Sequence, residues 1–231
     1  MNELPQQNAE EWLIVPSLEF NSADLLRITR AANRRAAEYY FGAHPDLSTL
    51  TPDALVTIAF AAAAVQAFTN DLTDHVQIWS TAKWPAATAP ALIAAVQAVF
   101  AVGAGREPQQ LTGKYRAAVR ALSRKSKTPD GRAVQELQRL VALSDAIMHP
   151  KAPRPALPRR VSAALVDLRR RGLTALLASR SKASLFIELQ SPHLSEWAFV
   201  TARNVILAML DIAPDVESVR SLNQHFRDAA M

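Results

Sequence analysis

Apolar positions along this chain recur every three or four residues, the period of helices packed on one side, and no run alternates convincingly as a half-buried strand does. Asn21 or Ser22 caps a first helix, expected to run to about Phe41 with Leu25, Ile28, Ala32 and Ala36 on one face; Gly42 and Pro45 end it. Thr51-Pro52-Asp53 opens a second, an oxygen cap followed by proline at the first helical position, where its missing N–H costs nothing. That helix is expected to reach about Ser80. Its centre, Ile58–Val65, is apolar all round and mainly alanine, which permits close approach of neighbouring helices.

Further helices are expected over about Ala91–Val102, about Leu111–Lys125, and from Thr128-Pro129-Asp130 to His149-Pro150. In the last of these Val134, Leu137, Leu140, Val141, Ser144, Ile147 and Met148 share one broad face. The stretch Pro150–Pro158 contains four prolines and reads as an extended loop. Helices over about Arg160–Leu177, from Ser191-Pro192 to about Leu210, and from Pro214 to about Asp228 complete the pattern, while Leu185–Leu189 reads as a short strand with no obvious partner. The apolar face carrying Trp197, Val200, Val205, Ile206 and Met209 needs something to pack against. The pattern therefore predicts an all-α fold, a single bundle of seven or eight helices over residues 21–231 behind a polar leader at 1–20.

Composition adds exclusions. A chain of 231 residues can bury a sizeable core, and the absence of cysteine rules out a disulfide framework or a thiolate site and fits a reducing cytoplasm. The N-terminus lacks the basic start and apolar run of a secretory signal. Trp84–Gly105 is the membrane candidate, but Pro85, Pro90 and Gln97 leave about 14 helical residues where about 20 are needed. A buried helix and no membrane partner are expected. The alanine- and arginine-heavy composition hints at a GC-rich bacterial genome.

Charge changes the picture more. The net charge is +5, yet Arg106–Lys182 holds 18 Lys/Arg against 5 Asp/Glu and the remainder 8 against 16. Such asymmetry suits RNA, an acidic protein, or the acidic parts of a second copy; solvated helix faces are the alternative. Arg159-Arg160 and Arg169-Arg170-Arg171 could grip phosphates, although three consecutive arginines point to different sides of a helix. Trp12, Trp79, Trp84 and Trp197 read as core or interface anchors.

The candidate chemistry concentrates in Leu143–Lys151, where His149 closes a helix before a proline. Imidazole is a base near neutral pH, so His149 is a candidate general base; equally, a histidine there can interact with the last helical carbonyls and the helix dipole. Gln66 and Asn70, four apart, form either a polar pair facing the His149 helix or an internally bonded pair. Asp71, Asp74 and His75 could suggest a metal site, but no second histidine lies at helical spacing. There is no glycine-rich phosphate loop and no serine elbow. No metal or cofactor is expected.

Three segments in consistent order resemble the HEPN superfamily of helical domains. Ala61–Leu72 is similar to the family's "LEAFIN" helix, with Gln66 at the glutamate position and Asn70 at the asparagine. The helix that begins near Lys114 leads to Gln135–Lys151, whose ending is similar to the "LRNxIxHPK" phrase. Glu196-Trp197-Ala198 followed by an apolar helix is the third. The resemblance covers about Ser22–Leu210 and implies a homodimeric helical domain, often found in defence and toxin–antitoxin systems. Active relatives are metal-independent ribonucleases with an arginine four to six residues before the histidine.

Such chemistry needs imidazole to deprotonate the 2′-hydroxyl and a guanidinium to offset charge developing on the phosphate. Here only His149 matches: Ser144 stands for the arginine and Asp145 for the common asparagine. The next arginine upstream, Arg139, is ten residues away, about 15 Å along a helix at 1.5 Å per residue. Lys151, Arg154 or a second subunit would have to supply the charge. The expectation is a non-catalytic binding or regulatory protein for RNA or protein, with Gln66, Asn70, Ser144, Asp145, Lys151 and Arg154 as candidate binding residues. The alternatives are an endoribonuclease using His149 and a structural homodimeric assembly module.

Overall fold

The computed structural model describes residues 21–42, 51–80, 111–122, 131–149, 159–174, 185–212, 223–224 and 226–229, and every regular element among them is helical. The helices are α1 (Asn21–Gly42), α2 (Asp53–Ser80), α3 (Leu111–Leu122), α4 (Gly131–Met148), α5 (Arg159–Arg170), α6 (Leu185–Glu188) and α7 (Pro192–Ile212). The expected helix at 91–102, the proline-rich loop at 150–158 and the leader at 1–20 lie outside the described residues.

The alanine-rich centre of α2 makes it the hub. Ala54, Ala61 and Ala64 are fully buried beside Ile58, Val65 and Phe68, and α1, α3, α4 and α7 all pack against this helix. By length and composition the segment Asp53–Asp71 could cross a membrane, at a mean hydropathy of 1.3. In this bundle the same small, apolar residues let several neighbours approach one axis.

Polar contacts give the helix directions. Ser22, at the start of α1, donates its backbone N–H to Asp71 at 3.2 Å, and Arg35 near the other end meets Asp53 at 2.8 Å, so α1 and α2 are antiparallel. Ser195 bonds Thr57 at 2.9 Å, and the Thr51 N–H reaches the Gln190 carbonyl at 3.0 Å, so α2 and α7 run parallel. The Thr51 carbonyl accepts the Ala54 N–H at 3.0 Å, while its buried hydroxyl has no hydrogen-bond partner among the described residues. Proline and backbone carbonyl, rather than the side-chain oxygen, open α2.

Several expectations are corrected. The inner face of α1 is Ser22, Ala23, Leu26, Thr29, Ala32, Asn33 and Ala36, and Ile28 is 42% exposed. Hydroxyl and amide groups can sit inside because each is bonded: Thr29 Oγ1 donates to the Leu25 carbonyl at 2.7 Å, and Asn33 Oδ1 accepts from Ser195 at 2.9 Å. The segment Leu185–Leu189 is a helical turn, not a strand.

The helix expected over Arg160–Leu177 stops at Arg170 instead. Gly172, at a φ of 69°, sends its N–H to the Arg169 carbonyl at 2.9 Å, and the Leu173 N–H reaches the Leu168 carbonyl at 3.0 Å. Those two bonds are a Schellman cap, which requires the left-handed conformation that glycine adopts at least cost.

One core joins these helices: Leu137, Leu140 and Leu143 of α4 and Leu194, Ile206 and Met209 of α7 belong to helices packed on α2, and Leu165 and Leu168 of α5 extend the core from the side of α4. Phe226, from the last described turns, sits edge-on against Phe68 with ring centroids 5.0 Å apart, a favourable quadrupole geometry.

Candidate functional site

The two ends of α4 have opposite surroundings. Its apolar stripe buries Val134, Leu137, Leu140 and Leu143, and Ser144 lies beside the last of these, only 8% exposed. Five residues correspond to about 140° around a helix, so Ser144 and His149 start from different sides. The chain beyond Ser144 emerges into solvent: Asp145 and His149 are exposed and Met148 is 60% exposed, although its spacing predicts the buried face. Backbone pairing continues to the end, with the His149 N–H bonded to the Asp145 carbonyl at 3.0 Å. The position matching the motif arginine thus faces inward, while the matching histidine faces water.

Arg139, the next arginine upstream, is not available to His149. Its guanidinium lies 3.3 Å from Glu136 and 3.2 Å from Asp167. Glu136 also takes Arg171 at 3.0 Å and the indole N–H of Trp197 at 2.6 Å. Asp167 stands 3.5 Å from Arg171 as well. This network of two carboxylates, two guanidiniums and one indole ties α4 to α5 and α7. Residue patterns do not point to it, because Glu136 looks like one more exposed acid until the tertiary neighbours converge on it.

The arginine triplet divides three ways, as consecutive helical residues must. Arg171 turns to Glu136, Arg169 to Glu188, and Arg170 to solvent. The Arg169–Glu188 pair is bidentate, with Nη2 to Oε2 at 2.7 Å and Nε bonded to Oε1. Glu188 is buried, 4% exposed, so this pair fixes α6 against the end of α5. The hydrogen bonds to Glu188 raise the Arg169 pKa above its ordinary value, opposed by desolvation and aided by the charge attraction.

Gln66 and Asn70 are bonded to each other, Nε2 to Oδ1 at 3.2 Å, and neither amide bonds a residue of α4 among the described residues. That favours a pair internal to α2. Lys151 and Arg154 lie outside the described residues. Asp71, weighed as a metal ligand, accepts the Ser22 N–H and hydroxyl and so caps α1. Among the described residues no group of three His, Asp or Glu side chains is placed to hold a metal ion.

A second polar cluster is invisible to residue patterns. Ser195 Oγ lies 2.9 Å from both Asn33 Oδ1 and Thr57 Oγ1, and Asn33 Nδ2 donates to Glu196 at 2.5 Å. Ser195 is fully buried and both its contacts are internal, so the cluster registers α1, α2 and α7 against one another and offers no reachable nucleophile. Comparison with known proteins finds no matching family model, no matching curated protein and no matching solved structure.

Proposed function

We propose that this protein is a non-catalytic, HEPN-like binding protein whose partner is RNA. The observation that carries the reading is the environment of Ser144. Where the resemblance places a guanidinium beside the imidazole, this chain has a buried hydroxyl, and Arg139 is held between two carboxylates. Loss of one such electrostatic donor lowers a rate roughly a hundred- to a thousandfold. What the chain retains is positive charge, concentrated in the segment Arg106–Lys182. The resemblance further suggests a homodimer acting in a defence or toxin–antitoxin system, and the absence of cysteine fits a cytoplasmic location.

The test is incubation of the purified protein with single-stranded RNA in chelator, alongside binding measured across a salt series. The expected result is no cleavage above background and an affinity that falls steeply with salt, because phosphate contacts release counterions. Chelator-resistant cleavage that His149→Ala abolishes would make the protein an endoribonuclease instead. Absence of binding at low salt would leave the assembly module as the reading.

A further inference from the structure

The ion pairs that consume Arg139, Arg169 and Arg171 also define what they leave over. In α5, Arg159, Ala163, Val166 and Arg170 follow one another at intervals of four, three and four residues, which places them along one face. All four are exposed, Val166 by 44%. Neither Arg159 nor Arg170 makes an ion pair among the described residues. The sole acid within α5 is Asp167, and it is turned to Arg139 and Arg171. Glu188, which meets the last turn of the helix through Arg169, is buried.

The result is a strip with cationic ends, an apolar centre and none of its own four positions a carboxylate, about 16 Å long at 1.5 Å per residue. Folding has sorted the arginines of this segment. Arg139, Arg169 and Arg171 are paired with acids, and Arg159 and Arg170 on the strip have no ion-pair partner among the described residues.

We propose that this outer face of α5 is the surface that meets the phosphate backbone of RNA, with Arg159 and Arg170 as the phosphate contacts. The proposal rests on the RNA-binding reading above and assigns its location. Two guanidiniums a few nucleotides apart suit a polyanion, because each can take a phosphate through paired donors. Val166 and Ala163 between them leave room for sugar and base edges without a repelling charge. Arg169 and Arg171, although adjacent in sequence, are excluded from the contact because Glu188 and Glu136 already hold them.

The experiment uses the full chain and a labelled polyuridine strand of about 20 nucleotides, with anisotropy read from low to moderate salt. Arg159→Gln/Arg170→Gln is expected to bind at least about tenfold more weakly and to flatten the log–log salt slope by roughly 1.4, about 0.7 for each phosphate of a single strand that is no longer neutralised. Its thermal midpoint should stay unchanged, since neither side chain has an ion-pair partner within the described chain. Arg169→Gln should do the reverse, lowering the midpoint while keeping the slope.

Wild-type binding that the double variant retains at full strength, with the same slope, would overturn the location and leave the RNA reading standing. No wild-type binding at low salt would overturn both. Equal, slope-matched competition by polyglutamate would replace RNA with an acidic protein as the occupant. Should the double variant fold poorly, Val166→Glu serves the same purpose. It adds a repelling charge at the centre of the strip and should weaken binding without touching either arginine.

Discussion

The first half of α4 and its last turn belong to one helix but to different kinds of structure. Around Glu136 and Arg139 the helix is held by an indole, two arginines and a second carboxylate drawn from α5 and α7. Around Met148 and His149 it projects into solvent, and the described residues supply no side chain that fixes the imidazole. Active sites that use a general base orient it with neighbouring groups, because a loosely held base loses much of its advantage. Here the polar network surrounds the half of the helix away from His149. The difference teaches that the charged groups in the first half of α4 hold the bundle together, while its motif-like ending has no such described partners.

The comparison can be broken most forcefully at Glu136. Replacing it by alanine leaves Arg171 and Arg139 with Asp167 as their remaining partner and strands the Trp197 indole N–H. The expected cost is about 2–3 kcal/mol, in line with removal of one partner from a partly buried charged network. Denaturant unfolding measures it. A loss below about 0.5 kcal/mol would mean that the network is no stronger than an ordinary surface pair, and the contrast between the two ends would collapse.

Ser144 tests the boundary between the two regimes. Ser144→Arg restores the residue type that the resemblance implies, but at a position 8% exposed beside Leu143. A longer, charged side chain must either displace its neighbours or leave the helix early to reach water, for an expected cost of about 1–3 kcal/mol. RNA cleavage should stay at background, because position 144 lies in the core while the imidazole of His149 faces solvent. A variant of unchanged stability that gains chelator-resistant cleavage would show that the inward position is no obstacle.

How far the sequence makes these regions legible follows from the range of the interactions. Helix identity and the starts of α2 and α7 are readable, because proline, cap and apolar period act within a few residues. The length of α5 is overestimated by periodicity although its stop signal is present: Gly172 at the cap outweighs the apolar Leu173, Leu176 and Leu177 that continue the pattern. The turn at Leu185–Glu188 is not readable, since its acid finds its reason for burial in Arg169, 19 residues away. Likewise periodicity rotates the inner face of α1, because Ser22, Thr29 and Asn33 count as polar in any such pattern and are buried only through partners on α1, α2 and α7. For the candidate site, the missing arginine is plain in the sequence. The inward direction of Ser144 is legible too, since it shares the apolar face of its helix, whereas the prior commitment of Arg139 is not, since it depends on where other helices lie.

The smallest effect is predicted at the residue that first draws the eye. His149→Ala removes an exposed side chain; the bond that holds this residue to the helix is made by its backbone N–H, and alanine keeps it. Surface substitutions without a cap, core or network role change stability by less than about 0.5 kcal/mol, and a histidine's favourable interaction with a helix C-terminus falls in the same range or slightly above it. The expected outcome is therefore a stability change near that limit, with RNA affinity unaltered. Parallel unfolding curves and binding isotherms for wild type and variant decide it. A loss comparable to that of Glu136→Ala would mean that the end of α4 is gripped by residues beyond those described, and its resemblance to a catalytic motif would regain its force.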